Sequence, residues 1–549
     1  MLQSIFNSVA QIAQGRAVSD LPGAPNAIAT ALTILSIHLL GLAVYRALSL
    51  SFLDLSWRVS LGIDNFCLAF LTLLGLTTWY MAYYDLLYDG YFFKKVQDLH
   101  RQYGPIVRIT PHEVHISDPE FIKVLFTGNL KRRDKSKWLG RMLGLPGSVA
   151  STIPHELHRQ RRAAMQRFFS RSSLRRLEPA IQRSLKNLLD RLDACGRQDD
   201  ILSMNVLCKA ATCDIITEYA FGQSTDYLHR DDLNVGFFKS LDANFQTAWY
   251  MAYIPLVGLF LQRMPPSIMG VLYPGLKSLR LMHEQWSKRI EEIRREVDSH
   301  SDQDASVFHG ILTSNLPAHE KSVERLRQEA QILVQAGQDT TANSVAYITY
   351  VLLHNPIICR KLKAELTDAL PDPDQVPSAA VVEKLPYLKA IIQETLRLYP
   401  SAIVRQGRVA PDADLVYANQ KTGEKWVIPA GVPMMMTPIP VHQDPEYFPE
   451  PTQFNPDRWL DSPHLDQYLL TFSKGTRACI GVDLAYTELF MLVAGIFRKY
   501  DRYDGSGKQT VPTLELYDTV AERDVEPSRD FIITFPQKNS KGVRVKIRQ

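Results

Sequence analysis

Phe472-Ser473-Lys474-Gly475-Thr476-Arg477-Ala478-Cys479-Ile480-Gly481 decides how this chain is read. One cysteine stands between two glycines, with an arginine two residues before it and an apolar segment, Leu484 to Phe497, after it. Glycine lets the backbone turn tightly and come close to a flat ligand. A sulfur at the mouth of the following helix feels the partial positive charge of the helix N-terminus, which favours the metal-ligating thiolate. Arg477 can offer a fork of donors to a ligand carboxylate. The plainer alternative is a buried structural cysteine in a glycine-bounded loop.

Two upstream segments bear on that choice. Ser322 to His354 predicts a helix of about 32 residues, roughly 48 Å long, after which Asn355-Pro356 starts the next one. Its middle reads Ala336-Gly337-Gln338-Asp339-Thr340-Thr341, poor choices for a buried helix interior. Threonine hydroxyls can bond back to the preceding turn, bend the helix and open a groove; the alternative is an ordinary helix with a flaw. Glu394-Thr395-Leu396-Arg397 sets opposite charges at i and i+3 on a helix ended by Tyr399-Pro400. Alone, that spacing marks an exposed ion pair. In this chain Phe454-Asn455-Pro456-Asp457-Arg458-Trp459 follows it.

F-x-x-G-x-R-x-C-x-G, A-G-x-D-T-T and E-x-x-R, together in one chain, resemble the cytochrome P-450 monooxygenases, from about Tyr84 to the C-terminus. The resemblance implies a mainly α (α+β) cytochrome P-450 fold and haem b (iron protoporphyrin IX) with Cys479 as its axial thiolate. It implies that Phe472 and Arg477 flank the haem and that Arg162 and Arg408 meet its propionates. The family commonly has Trp-x-x-x-Arg where this chain has His158 and Arg162, so His158 takes the tryptophan's place. A solvated basic face is the alternative there, since Arg159, Arg161 and Arg167 share the helix. Asp339 is expected to feed protons and Thr340 to order water where dioxygen is activated. Glu394, Arg397 and Arg458 are expected to form a buried triad locking the cysteine loop, and Arg405 to face the substrate pocket. The strand-like Tyr103 to Ile109 and Glu113 to Ile116 match the family's first hairpin.

No G-x-G-x-x-G fingerprint or flavin segment occurs. Electrons are therefore expected from NADPH through a separate NADPH-cytochrome P-450 reductase, or cytochrome b5. YGPIVRITPHEVHI and HRQRRAAMQRFFS resemble the fungal secondary-metabolism branch, which implies a lipophilic substrate such as a terpenoid or meroterpenoid. Two rivals stand beside the monooxygenase. An isomerase or synthase of the same family would need no external electrons but often loses the acid–threonine pair; a non-enzymatic haem binder would not need that pair.

The 549 residues contain 46% hydrophobic and 22% charged residues, and no charge-rich or Gly/Ser linker divides them. A net charge of +4 without basic runs interleaved with aromatics argues against nucleic acid. Six cysteines are too sparse for a disulfide framework, and Cys208 and Cys213 have a poor zinc spacing that suits core packing. Residues 1–84 form the expected membrane-anchor region, ahead of a monooxygenase domain at 85–549. Its candidate transmembrane helices are Ala27 to Tyr45 and the charge-free Phe66 to Tyr84, each about 19 residues, close to the thickness of a hydrocarbon core. Trp79, Tyr80, Tyr83 and Tyr84, then Lys94 and Lys95, make an aromatic belt followed by positive charge. A secretory signal is not expected, because the first run begins late and lacks a basic leader. Endoplasmic reticulum attachment with the catalytic domain facing the cytosol is the expected localisation. Ala248 to Tyr273, apolar but broken by Pro255, Pro265 and Pro266, is a poor membrane span; the resemblance implies that it forms part of a substrate entrance that touches the membrane surface.

Overall fold

The computed structural model describes residues 80–128, 131–254, 277–299 and 306–548. The candidate span at 27–45, all but the last five residues of that at 66–84, and most of the entrance segment lie outside them. No helix among the described residues is long and apolar enough to cross a membrane. The chain divides into two compact units, Met1–Phe92 with Arg108–Val114, and Phe93–Val107 with His115–Gln549. In the described part of the first, helical residues from Tyr80 pass into a π-turn at Tyr83–Leu87. There the Tyr80 and Tyr84 rings meet edge-on at 5.3 Å and those of Tyr83 and Tyr84 at 5.2 Å.

The second unit is mostly helical with small sheets. Its principal helices are α1 (His155–Gln166), α2 (Arg171–Gln198), α3 (Met204–Phe221), α4 (Val235–Gln246), α5 (Lys277–Asp298), α6 (Val323–His354), α7 (Pro356–Ala369), α8 (Pro386–Leu398) and α9 (Val482–Lys499). The expected strands appear as β1 (Ile106–Thr110) and β2 (Glu113–Ile116), followed by β3 (Asp134–Lys135) and β4 (Ile201–Ser203). Strand β5 (Arg408–Val409) lies between β3 and β6 (Pro433–Met435), antiparallel to both. The strand-like C-terminal stretches form β7 (Arg529–Phe531), β8 (Ile533–Phe535) and β9 (Arg544–Arg548).

Helix α6 has the predicted length, 32 residues, because its ends are specified locally. Ser322 caps the N-terminus by accepting from the Arg325 amide, and Pro356 opens α7. From Leu333 to Leu353 it is buried almost all round, so tertiary packing rather than amphipathicity holds it. Gly337 has a steric reason: a Cβ there would meet Ile216 Cγ1 of α3 at 2.7 Å. Larger residues would push α3 and α6 apart. The expected bend does not interrupt the helix, which runs unbroken through Thr340.

Candidate active site

The cysteine loop is fixed by its own backbone. The Cys479 amide donates to Phe472 O at 2.8 Å and the Ala478 amide to Gly475 O at 3.1 Å. Gly475 adopts φ +70°, and a Cβ there would sit 2.4 Å from the Thr127 carbonyl oxygen, so only glycine fits. Gly481, at φ −92°, is under no such constraint. Cys195, Cys208, Cys213 and Cys359 are buried in the core; Cys479 alone of the described cysteines is exposed, and its exposure opens into a cavity of about 310 Å³. Burial raises the Cys479 pKa above the usual thiol value, although the Gly481 amide and Arg162 pull it down. The helix terminus acts in the expected direction but does not outweigh desolvation; ionisation there needs the charge of a bound cation.

Phe472, Arg477, Arg408, Thr340 and Cys479 all line the cavity. So does Lys135, which the sequence did not suggest: β3 pairs with β5 so that Lys135 lies opposite Arg408. Burial, then the charges of Arg408 and Arg477, lower the Lys135 pKa to about 7. Burial and Arg477 bring Arg408 to about 9, and burial brings Arg477 to about 10 despite Asp134 nearby. His158 and Arg162 do not line the cavity themselves. Arg162 donates to the Ala478 carbonyl at 2.7 Å. Burial, followed by Arg477, Lys135, Arg162 and Arg408, holds the His158 ring neutral, with a pKa of about 2. Arg161, by contrast, turns inward to a bidentate pair with Glu320 at 2.8 and 2.9 Å, so α1 is not simply a solvated basic face.

Among the described residues no carboxylate forms an ion pair with Lys135, Arg162, Arg408 or Arg477. Arg477 leans instead on the carbonyls of Arg133, Thr152 and Ile153, and Arg408 on Gly407 O and the Ser473 hydroxyl. Buried cations crowded together without anions are costly. They suit a dianionic ligand; a haem's two propionates would supply that charge, and Cys479 is the residue that would hold its iron. The residues present therefore fit the group.

In the same lining Thr340 donates to Ala336 O at 2.7 Å, the predicted bond to the preceding turn. Its own carbonyl accepts from the Ser344 and Ser401 hydroxyls at 2.9 and 3.0 Å. Asp339 does not face the cavity. It is fully buried and pairs with Lys209 of α3 at 2.7 Å, and Lys209 also holds Asp242 of α4 at 2.9 Å.

These observations converge with sequence and structural similarity. The cytochrome P-450 family profile matches residues 74–520. The chain belongs to the cytochrome P-450 family. It is 36% identical over 473 residues to the cytochrome P-450 monooxygenase tpcC of Cochliobolus heterostrophus, covering 86% of this chain and 90% of that protein. Tryptophan 6-hydroxylase fscE of Fusarium equiseti is also 36% identical, over 87% of this chain and 91% of its own length. The crystal structure of the cytochrome P-450DA haem domain shares the fold at a TM-score of 0.62 and 19% identity, over 83% of this chain and 92% of that one. The protein is a P-450 monooxygenase of the kind found among fungal secondary-metabolism enzymes.

Behind the loop of this P-450, the expected triad is present and buried. Arg397 grips both Glu394 oxygens at 2.8 Å, and Arg458 Nε reaches Glu394 Oε1 at 3.2 Å. Trp459 Nε1 and the Asn455 amide also donate to that carboxylate, each at 2.9 Å. The link to the cysteine loop runs through His442, which nothing in the sequence singles out. Its Nδ1 donates to Arg397 O at 3.0 Å, leaving Nε2 to accept from the Leu470 amide at 2.8 Å. Burial and Arg397 bring its pKa down to about 3, so the imidazole remains neutral.

Arg405 corrects a further expectation. It is fully buried but does not line the cavity: its guanidinium lies over Trp138 and Trp249 at 5.1 and 4.6 Å and donates to the Tyr253 hydroxyl. Its neighbours Val404 and Gln406 face the cavity instead, since alternate residues of an extended segment point to opposite sides.

The Asp339–Lys209 pair yields a test. Burial alone would pull the Lys209 ammonium down, but Asp242 and Asp339 hold its pKa above the ordinary value. Lys209→Met strands the Asp339 carboxylate and is expected to cost about 3–5 kcal/mol, read by chemical denaturation at pH 7. Asp339→Asn in the same background should recover most of that loss; purely additive losses would refute the coupling.

Proposed function

We propose that this protein is a membrane-anchored monooxygenase that inserts one oxygen atom from O2 into a neutral, lipophilic small molecule, in biosynthesis of a fungal terpenoid or meroterpenoid. NADPH supplies electrons through a separate reductase or cytochrome b5. Residues 1–84 form the anchor at the endoplasmic reticulum and 85–549 the catalytic domain on its cytosolic side. The observation that carries the reading is one cavity lined by the Cys479 thiol, by Lys135, Arg408 and Arg477, and by Thr340 of α6. Bound haem supplies dioxygen activation and the oxidant.

The protein's residues do the rest. Cys479 would offer its sulfur to the haem iron, and Lys135, Arg408 and Arg477, which line the same cavity, would hold the haem carboxylates. Thr340 holds its hydroxyl proton at Oγ1 beside the cavity, where it can order water. Leu139, Leu143, Phe245, Ile332, Val404 and Ile533 give the cavity an apolar wall that excludes bulk water and favours hydrocarbon. The described lining has no carboxylate to pair a substrate ammonium. Exposed Tyr83, Leu87 and Tyr88, around the end of the charge-free run at Tyr84, support an interfacial anchor.

Microsomes from yeast expressing the full chain with a reductase, fed candidate cyclised terpenoids, should form a hydroxylated product dependent on NADPH and O2. Product formation without NADPH would favour the isomerase reading. Thr340→Ala should leave haem content unchanged and NADPH oxidation near its normal rate, while product falls about tenfold and hydrogen peroxide rises. Unchanged coupling in that variant would show that the Thr340 hydroxyl does not order water for the reaction.

A further inference from the structure

Ser401 stands three residues beyond the end of α8 and is 3% exposed. Its hydroxyl donates at 3.0 Å to the Thr340 carbonyl on α6 and lies 3.1 Å from the Ser344 hydroxyl. A carbonyl oxygen has two lone pairs, and an α-helix uses one of them for the amide four residues on. Ser344 reaches the Thr340 carbonyl from within α6, as helical serines commonly do. Ser401 reaches it from another element, so this bond ties the turn that carries Thr340 to a separate piece of the fold.

That piece is held in turn by the hairpin of β7 and β8. Thr534 donates its amide to the Ser401 carbonyl at 2.9 Å and its hydroxyl to the Pro400 carbonyl at 2.6 Å. Ala402 forms an antiparallel bridge with Ile533. Phe531 pairs with Ile533, so the hairpin closes through Ile532 alone, at φ 77°. A β-branched residue in that region is strained and persists only where its surroundings hold it; here the Ile532 amide donates to the Asp530 carboxylate at 2.9 Å. Ile532 and Ile533 line the cavity, as do Ser401 and Thr340. A hydrogen-bonded path therefore leaves the cavity wall at the hairpin, passes through Ser401 and returns to that wall at Thr340.

We propose that Ser401 is a positioning residue that fixes the Thr340 turn of α6 to this hairpin, so that a ligand pressing on the hairpin tip sets where the Thr340 hydroxyl stands. That hydroxyl is bonded to Ala336 O one turn back, so any rotation of the turn carries it along. The consequence for turnover rests on the monooxygenase reading. The tie itself is measured without a substrate, so the two can fail separately.

Hydrogen–deuterium exchange of the full-length holoenzyme is the test of the tie. Ser401→Ala should speed exchange in the α6 peptide 336–346 about fivefold, the worth of one net hydrogen bond. Ser401→Thr keeps the hydroxyl and should restore the slow rate. Thr534→Val removes only the hydroxyl bond to Pro400, outside α6. It should speed the same peptide in the wild-type background and add nothing in Ser401→Ala. Unchanged exchange in Ser401→Ala, or an effect of Thr534→Val that persists without the Ser401 hydroxyl, would overturn the proposal. In microsomes with reductase, NADPH and the cyclised terpenoid that the wild type hydroxylates, Ser401→Ala should lower product per NADPH about threefold at unchanged haem content and KM. Ser401→Thr should recover it, and in Thr340→Ala the Ser401→Ala change should cost nothing more, because the group it positions is gone. A raised KM with coupling unchanged would make Ser401 a wall contact only, and additive losses would place its action away from Thr340; either result overturns the proposal.

Discussion

Glu394→Gln is expected to cost about 5 kcal/mol and to leave most of the expressed chain without haem. Glu394 and Arg397 are completely inaccessible, and the Arg458 side chain is 7% exposed. The carboxylate accepts from two guanidiniums, an indole and a backbone amide. An amide in its place removes the countercharge these two buried cations share and turns an N–H group toward their donors. Replacing such a pair with apolar groups can be neutral, whereas removing one partner strands charge. The loss should spread to the active site, because Arg397 holds His442 and His442 holds the Leu470 amide at the start of the cysteine loop. Haem per polypeptide and the denaturation midpoint of the purified full chain are the measurements. Full haem occupancy with an unchanged midpoint would show that the triad does not hold the loop.

What could be read from the sequence was whatever is encoded locally. The cysteine loop, the capped α6 and the helix ending before Pro400 rest on contiguous residues whose backbone demands can be judged without a fold. What stayed hidden depends on pairing across the fold. Lys135 sits in Lys131-Arg132-Arg133-Asp134-Lys135, which reads as a solvated basic run. Only the two-residue pairing of β3 with β5 turns it inward beside Arg408. Arg405 faces away from the cavity it was expected to line, because periodicity cannot assign faces to so short an extended segment. The Asp339 motif was legible, but its ion pair with Lys209 was not: the two lie on different helices brought together by Gly337. His442 looks like any other histidine until Arg397 fixes which nitrogen carries its proton.

Cys479→Ala is expected to abolish monooxygenase activity while leaving the rest of the fold close to wild type. Cys479 is exposed to the cavity rather than packed in the core. The loop is held by backbone bonds the substitution does not touch, from the Cys479 and Ala478 amides to Phe472 and Gly475. Alanine offers no donor to iron, and the other described cysteines are buried, so none of them can replace it without unfolding. Cys195, Cys208, Cys213 and Cys359 should each tolerate alanine or serine with haem ligation intact.

The most direct test of Cys479 as the axial ligand is the absorption spectrum of the reduced, carbon monoxide-treated protein. The wild type and the four other cysteine variants should show the red-shifted Soret band that thiolate ligation gives, and Cys479→Ala should not. A normal thiolate band in Cys479→Ala, or none in the wild type, would contradict thiolate ligation by Cys479.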